Sequence, residues 1–237
     1  MMNCKFTSRV FILFLGICTV QSLKSQALLA LFFGDKITSD KISVGLYLAA
    51  QSSSISNIDD AKDGIGLSIG AYTDFKLSPK WSITNYLSFK SPLGMREVPL
   101  QYQVVNNAMY PEGSTIKRSL LFFELNPLMR YHFTPSFSMG VGPDFGIKLK
   151  AKDYYIYDQP DGSTNTVEYK VKDYFTMCNF GFSGDLQYAF QQGKGLRFNV
   201  KYNQGITNIY KSGTGQDGHS SYIHFGVGIP IGGNKKQ

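Results

Sequence analysis

Nine ionisable side chains share the small-residue side of alternating stretches and are the first candidates for chemistry: Asp74, Lys76, Glu124, Arg130, Asp144, Lys148, Asp185, Arg197 and Lys201. Acids and bases gathered in a cleft can move protons as general acid and general base. Left unpaired in a dry interior, each charge would be strongly destabilising, so the same set is expected to pair internally or to meet trapped water. Structural pairing is the reading adopted. Gly66-Leu67-Ser68-Ile69-Gly70 matches the G-x-S-x-G nucleophile pattern, but that chemistry needs a sharp strand-to-helix turn, with Asp and His later in the chain. Here the pentapeptide sits in unbroken alternation. His132, His219 and His224 lack metal-ligand spacing. Asp59, Asp60 and Asp63 lack the spacing of a calcium loop, and Gly140-Val141-Gly142 lacks the strand–helix setting of a dinucleotide site. No catalytic residue, metal site or cofactor is expected.

The elements that position these charges follow from a period of two. Leu121, Phe123, Leu125, Pro127, Met129, Tyr131 and Phe133 alternate with Phe122, Glu124, Asn126, Leu128, Arg130 and His132. After Thr134-Pro135-Ser136, Phe137, Met139, Val141, Pro143, Phe145, Ile147 and Leu149 alternate with Ser138, Gly140, Gly142, Asp144, Gly146 and Lys148. Such alternation predicts two β-strands with one bulky apolar face and one small or charged face. A soluble sheet would bury the bulky face. In a small outer-membrane barrel the bulky face meets lipid, and Gly, Ser and charges fill the narrow interior. The second orientation is adopted because Gly and Ser so regularly placed are poor candidates for a water-facing surface.

The same pattern recurs in stretches beginning near Ile42, Ile65, Trp81, Tyr174, Leu196 and Ile223, giving eight strands in all. Connections at 78–80, 134–136 and 191–195 are short; those at 52–63, 91–117, 150–173 and 211–219 are longer. The expectation is an all-β fold: an eight-stranded antiparallel up-and-down transmembrane β-barrel, with short periplasmic turns and long extracellular loops. Pairing Phe133 with Phe137 sets Asn126 opposite Asp144, and pairing Phe190 with Leu196 sets Asp185 opposite Lys201, an expected ion pair. A two-residue turn at Asp161-Gly162 would set Leu149 opposite Tyr174 and carry a hairpin well above the membrane.

Lys5 and Arg9 precede the apolar run Val10 to Val20, which is too short to span and fits a signal peptide core. The expected organisation is a signal peptide over 1–25, a lead-in over 26–40, the barrel over 41–232 and a polar tail over 233–237. Loss of Lys5, Arg9 and Lys24 takes the net charge from +7 to +4, too weak and scattered to argue for nucleic acid. Cleavage also removes Cys4 and Cys18, leaving Cys178 and no internal disulfide. The 15 Tyr and 18 Phe suit aromatic belts at two membrane interfaces.

Tyr202-Asn203-Gln204-Gly205-Ile206-Thr207-Asn208-Ile209 resembles the penultimate strand of the PorT-like family of small bacterial outer-membrane β-barrels, where Tyr-x-x-Gly-Leu-Thr-Asn-Ile is common. Phe123-Glu124-Leu125-Asn126-Pro127-Leu128, followed by Arg130-Tyr131, is similar to that family's fourth strand, with one residue more between Glu and Pro. Gly140-Val141-Gly142-Pro143 is similar to its Gly-x-Gly-Pro run. The resemblance implies the barrel fold and no particular activity.

Together these readings predict an integral protein of the bacterial outer membrane, a monomer without catalysis or a wide pore, with a structural or surface-binding role through its extracellular loops. Its expected partners are outer-membrane lipid, the barrel-assembly machinery during biogenesis, and an extracellular ligand or envelope protein of unspecified kind. An outer-membrane lipid-modifying enzyme and a soluble lipid-binding β-barrel are the alternatives.

Overall fold

The computed structural model describes residues 41–105, 110–111 and 113–231; the expected signal peptide, lead-in and polar tail lie outside them. Its strands are β1 (Ile42–Ile55), β2 (Lys62–Lys76), β3 (Trp81–Pro99), β4 (Thr115–His132), β5 (Phe137–Asp158), β6 (Thr164–Lys170), β7 (Cys178–Ala189), β8 (Arg197–Gly205) and β9 (Ser220–Ile231). All pairings are antiparallel. Each of β1, β2, β3, β4, β5, β7, β8 and β9 pairs with two neighbours, and β1 pairs with β9, so these eight close into a ring. The ninth strand, β6, pairs only with the far half of β5. Closure leaves the eight with no open edge along most of their length.

The alternation fixes what faces inward. Along β8 every second residue from Arg197 to Gly205 is buried, and the residues between them are exposed. Asp185 stands opposite Lys201, as the short turn requires. Leu125 opposite Phe145 and Met129 opposite Val141 keep the frame in which Asn126 faces Asp144.

The connections expected over 52–63 and 91–117 are shorter than the composition suggests, whereas the one expected over 211–219 widens to 206–219. Strand β3 continues through Pro92 to Pro99, and β4 starts at Thr115, so the connection expected over 91–117 shrinks to 100–114. Bulges between Ser88 and Ser91 and between Met95 and Val98 interrupt the β3–β4 ladder. Strand prolines are tolerated where pairing is irregular. Similarly β1 runs on to Ile55, which narrows the first loop to 56–61.

The two-residue turn expected at Asp161-Gly162 does not form, and Leu149 is not opposite Tyr174. Asp158 pairs with Thr164 instead, Gly162 donates its N–H to the Gln159 carbonyl at 2.9 Å, and Gln159 donates to Ser163 at 2.7 Å. Gly162 has φ of +83° while Asp161 does not have positive φ, which rules out the type I′ turn. Pro160 favours the second position of an ordinary turn, and Gly162 then supplies the left-handed residue. The Ser163 hydroxyl, at 2.7 Å, and its N–H, at 2.9 Å, donate to the Asp161 carboxylate and hold its pKa below the usual value. A short 3-10 turn at Lys172–Tyr174 then leads into β7, which joins β5 with Cys178 opposite Ile147.

Two bulges have a larger consequence. In β5, Leu149 and Lys150 are both exposed, and inside and outside exchange parity there. Up to Leu149 the odd residues face out; beyond Lys150 the buried residues are Ala151, Asp153 and Tyr155. Phe89 and Lys90 do the same in β3, after which Ser91, Leu93 and Met95 are buried. The inward side at this end becomes apolar, with Leu93, Met95, Val98, Ile116, Leu120, Phe122, Tyr155 and Phe175 in one cluster. Deleting Lys150 should return Asp153 and Tyr155 to the outer face. Limited proteolysis of the variant is expected to cut within 150–170 at least about tenfold faster, with the ring intact; an unchanged rate would contradict the role given to the bulge.

Candidate functional site

Most of the candidate charges meet inside the ring, but not all in the expected partnerships. Arg130 is fully buried and is the hub of the half nearer the short turns. Its Nη2 donates to Asp185 Oδ2 at 2.8 Å, its Nε to Thr84 Oγ1 at 2.8 Å and its Nη1 to Ser138 Oγ at 3.1 Å. The Thr84 hydroxyl donates onward to Asp74 at 2.8 Å, and Asp74 also accepts from Arg197 Nη1 at 3.3 Å. Arg197 reaches Ser43 at 3.0 Å and lies over the Tyr72 ring at 4.6 Å. Two arginines and two aspartates thus form one chain of contacts across strands that are distant in sequence. The ion pair expected between Asp185 and Lys201 is replaced by Asp185–Arg130, because a planar guanidinium on a long stem reaches across the ring and donates in several directions.

Lys201 occupies the middle of the interior. Its Nζ donates to Asn126 Oδ1 at 3.3 Å and lies 5.2–5.8 Å from the ring centres of Tyr47, Tyr86 and Tyr222. The Tyr222 hydroxyl lies 2.7 Å from Asp144 and 3.2 Å from Glu124, so the two carboxylates share one donor. Ser183 donates to Asp144 at 3.3 Å and accepts from Asn203 at 2.9 Å.

Two candidates fall outside this arrangement. Lys76 is exposed as the last residue of β2; at the mouth of the ring, parity no longer implies burial. Lys148 is buried, but its ammonium donates to the carbonyl oxygens of Lys172, at 2.7 Å, and Phe175 instead of to a carboxylate. The 3-10 turn at Lys172–Tyr174, which the alternation could not foretell, brings these carbonyls within reach.

A buried bidentate pair lies outside the candidate set. Arg118 and Asp153 are both fully buried, with Nε to Oδ1 at 3.0 Å and Nη2 to Oδ2 at 2.8 Å. Arg118 also donates to the Tyr210 hydroxyl at 2.7 Å and lies 5.3 Å from the Phe175 ring centre. The signal for it lay past Leu149, where unbroken alternation would send Lys150 and Lys152 inward; with Lys150 outward instead, Asp153 turns inward.

The other motifs find structural places. Ser68 is buried in the middle of β2 opposite Ala49, on extended backbone instead of a strand-to-helix turn. His132 contacts Ser82 at 2.9 Å, and His224 stacks on Tyr222 at 4.6 Å. Chemically the interior is a network of ion pairs and hydrogen bonds packed against tyrosines, in which Asp185 Oδ1, Arg197 Nε and the Tyr72 hydroxyl have no hydrogen-bond partner.

No protein-family model matches the chain, and no curated protein does. Among solved structures it is similar to Ail, the attachment invasion locus protein of Yersinia pestis, at 9% identity and a TM-score of 0.44, covering 81% of this chain and 99% of that one. It is similar to Neisserial surface protein A at 12% identity and a TM-score of 0.37, covering 80% and 97%. With the outer membrane protein OprG from Pseudomonas aeruginosa the figures are 14%, 0.34, 81% and 95%. At identities this low, nothing about activity passes from these proteins to this chain.

Arg130→Met would strand the buried Asp185 carboxylate and is expected to lower stability by about 3–5 kcal/mol in a denaturant titration of the refolded protein. Arg130→Met with Asp185→Leu should recover most of that loss. Equal losses in the single and double variants would contradict the pairing.

Proposed function

We propose that the chain is an integral protein of the bacterial outer membrane, an eight-stranded up-and-down β-barrel with a structural or surface-binding role. The turns at 77–80, 133–136 and 190–196 face the periplasm, and the long β3–β4 and β5–β6 ends project from the cell. The observation that carries this reading is a reversal of polarity along single strands. In β5, Phe137, Met139, Val141, Phe145 and Leu149 are exposed around the buried Ser138, Asp144 and Lys148, whereas past the bulge Lys150 is exposed and Ala151 and Tyr155 are buried. In β3, Trp81 and Phe89 lie outside over buried Ser82, Thr84 and Ser88; further on, Arg96 and Glu97 are outside and Leu93, Met95 and Val98 inside. One end is arranged for water and the other for hydrocarbon, as expected of strands that leave a bilayer partway along their length.

The dimensions agree. Strand β8 has 9 residues and β7 has 12, and a tilted strand crosses the hydrocarbon in about 9–11. Trp81, Tyr131, Phe133 and Phe137 meet edge to face or stacked, with ring centres 5.0–5.6 Å apart, beside the short turns, a girdle suited to a membrane interface. A soluble lipid-binding barrel would hold Val141, Phe182 and Phe225 inside, yet they are 51%, 59% and 61% exposed. The interior ion pairs and tyrosines leave little room for a wide pore, and the proposed role is one without catalysis. A signal peptide over 1–25, delivery to the barrel-assembly machinery, a monomeric state in lipid and membership of the PorT-like barrels complete the proposal, the last on the strength of Tyr202–Ile209.

Fractionation should find the protein in the outer membrane, its folded form should migrate differently from the boiled form on a detergent gel, and protease added to intact cells should cut the hairpin at 159–163. A soluble protein with no heat-dependent shift would refute the proposal.

A further inference from the structure

A recess of about 160 Å³ opens where β2, β3 and β4 pass the level at which polarity reverses, lined by residues including Ile65, Pro92, Gly94, Arg96, Lys117 and Ser119. Its walls differ in chemistry. Ile65, 72% exposed, and Pro92 lie toward the apolar band; Arg96 and Lys117, both exposed, lie on the water side. Gly94 and Ser119 face each other across the β3–β4 ladder, and a Cβ at Gly94 would collide with the Arg118 carbonyl, so no larger side chain fills the space between the walls.

The bulge between Met95 and Val98 arranges the charges. It sets two residues, Arg96 and Glu97, against the single Lys117, and Glu97 takes φ of +54°. Glu97 engages Lys62 at 2.7 Å, which neutralises both. Arg96 uses Nε to hold the Asp63 carbonyl at 2.9 Å, and among the described residues neither Arg96 nor Lys117 is in an ion pair. The Asp63 carboxylate accepts from Ser52 at 3.0 Å.

Two cations without an ion-pair partner among the described residues, beside an apolar wall and, on the outer-membrane reading, at the depth of a leaflet boundary, complement a phosphate whose acyl chains run down the sheet. We infer that this recess binds the phosphorylated headgroup of an outer-leaflet glycolipid, with Arg96 and Lys117 on the phosphate and Ile65 and Pro92 against the first methylenes. The inference rests on the outer-membrane reading and adds to it a place and a chemistry for lipid recognition.

The test uses the full mature chain folded in neutral detergent, with folding established first by heat-dependent migration, and native mass spectrometry of retained lipid. Diphosphoryl lipid A is the probe; dephosphorylated lipid A and inorganic phosphate are the comparators. The wild type should retain the diphosphoryl form, lose most of that retention when the phosphates are removed, and show no comparable hold on inorganic phosphate. Arg96→Gln with Lys117→Gln should weaken binding roughly 30-fold, the loss expected for two cations beside an anionic headgroup. Ser119→Leu, which fills the recess and keeps both charges, should weaken it as well, while Lys80→Gln at the opposite end should change nothing. Equal retention by the wild type and the double variant, or of the phosphorylated and dephosphorylated lipids, would overturn the inference and leave the membrane reading standing. A chain that never folds in detergent would overturn both.

Discussion

Each strand of the ring has two faces, and the pleat offers no third place for a side chain. Closing eight such strands therefore forces every charge within the sheet either into a narrow interior or out into whatever surrounds it. Here the buried set contains Arg130, Lys201, Asp74, Glu124, Asp144 and Asp185. Charges enclosed in this way persist only where each is met by a partner, so the hydrogen-bond chain through Arg130 and Thr84 is a condition of closure more than an addition to it. The tyrosines serve the same end: Tyr47, Tyr86 and Tyr222 surround Lys201 with ring faces, which attract a cation without adding a second charge.

The long end obeys a different solvent and is built differently. Where β3, β4 and β5 extend past Lys90 and Lys150, the inward residues become Leu93, Met95, Ile116, Leu120 and Tyr155, an ordinary apolar core. Outside them stand charged groups such as the Lys152–Glu168 pair, 2.6 Å apart, in which Lys152 holds the Glu168 carboxyl below its usual pKa; exposed as it is, the pair adds little to stability. Two extra residues accomplish the change of plan, because a bulge rotates everything beyond it to the other face. Arg118 and Asp153 are buried at this end, where the bidentate pair with its tyrosine and phenylalanine neighbours ties β4 to β5 and the loop carrying Tyr210.

Much of this was legible in the sequence. The alternation from Leu121 to Leu149 gave both strands, the turn between them and the sense of each face, and the short turns fixed the register that places Asp185 opposite Lys201. What alternation does not encode is reach. It sets Asp185 beside Lys201 but cannot weigh that neighbour against Arg130, which arrives from across the ring. Nor does it announce a bulge, since Phe89-Lys90 and Leu149-Lys150 look like any apolar–charged step. The clue was chemical: past Leu149 an unbroken pattern would have pointed Lys150 and Lys152 inward and left Ala151 outside. Pro160 misled in the same way, because Asp161-Gly162 alone suggests a two-residue turn while the proline before it sets a different one.

The central claim concerns which face of each strand meets hydrocarbon, and it is tested most directly by spin-label accessibility along β5 in lipid bilayers. Labels introduced one at a time from 137 to 158 in a Cys178→Ser background would be probed with oxygen, which concentrates in lipid, and with a polar nickel reagent, which does not. The account predicts high oxygen access at the odd positions up to 149, low access to both at the even ones, and a change of phase after 150, where the outward labels respond to nickel instead. Uniformly high nickel access at 139, 141 and 145 would contradict it.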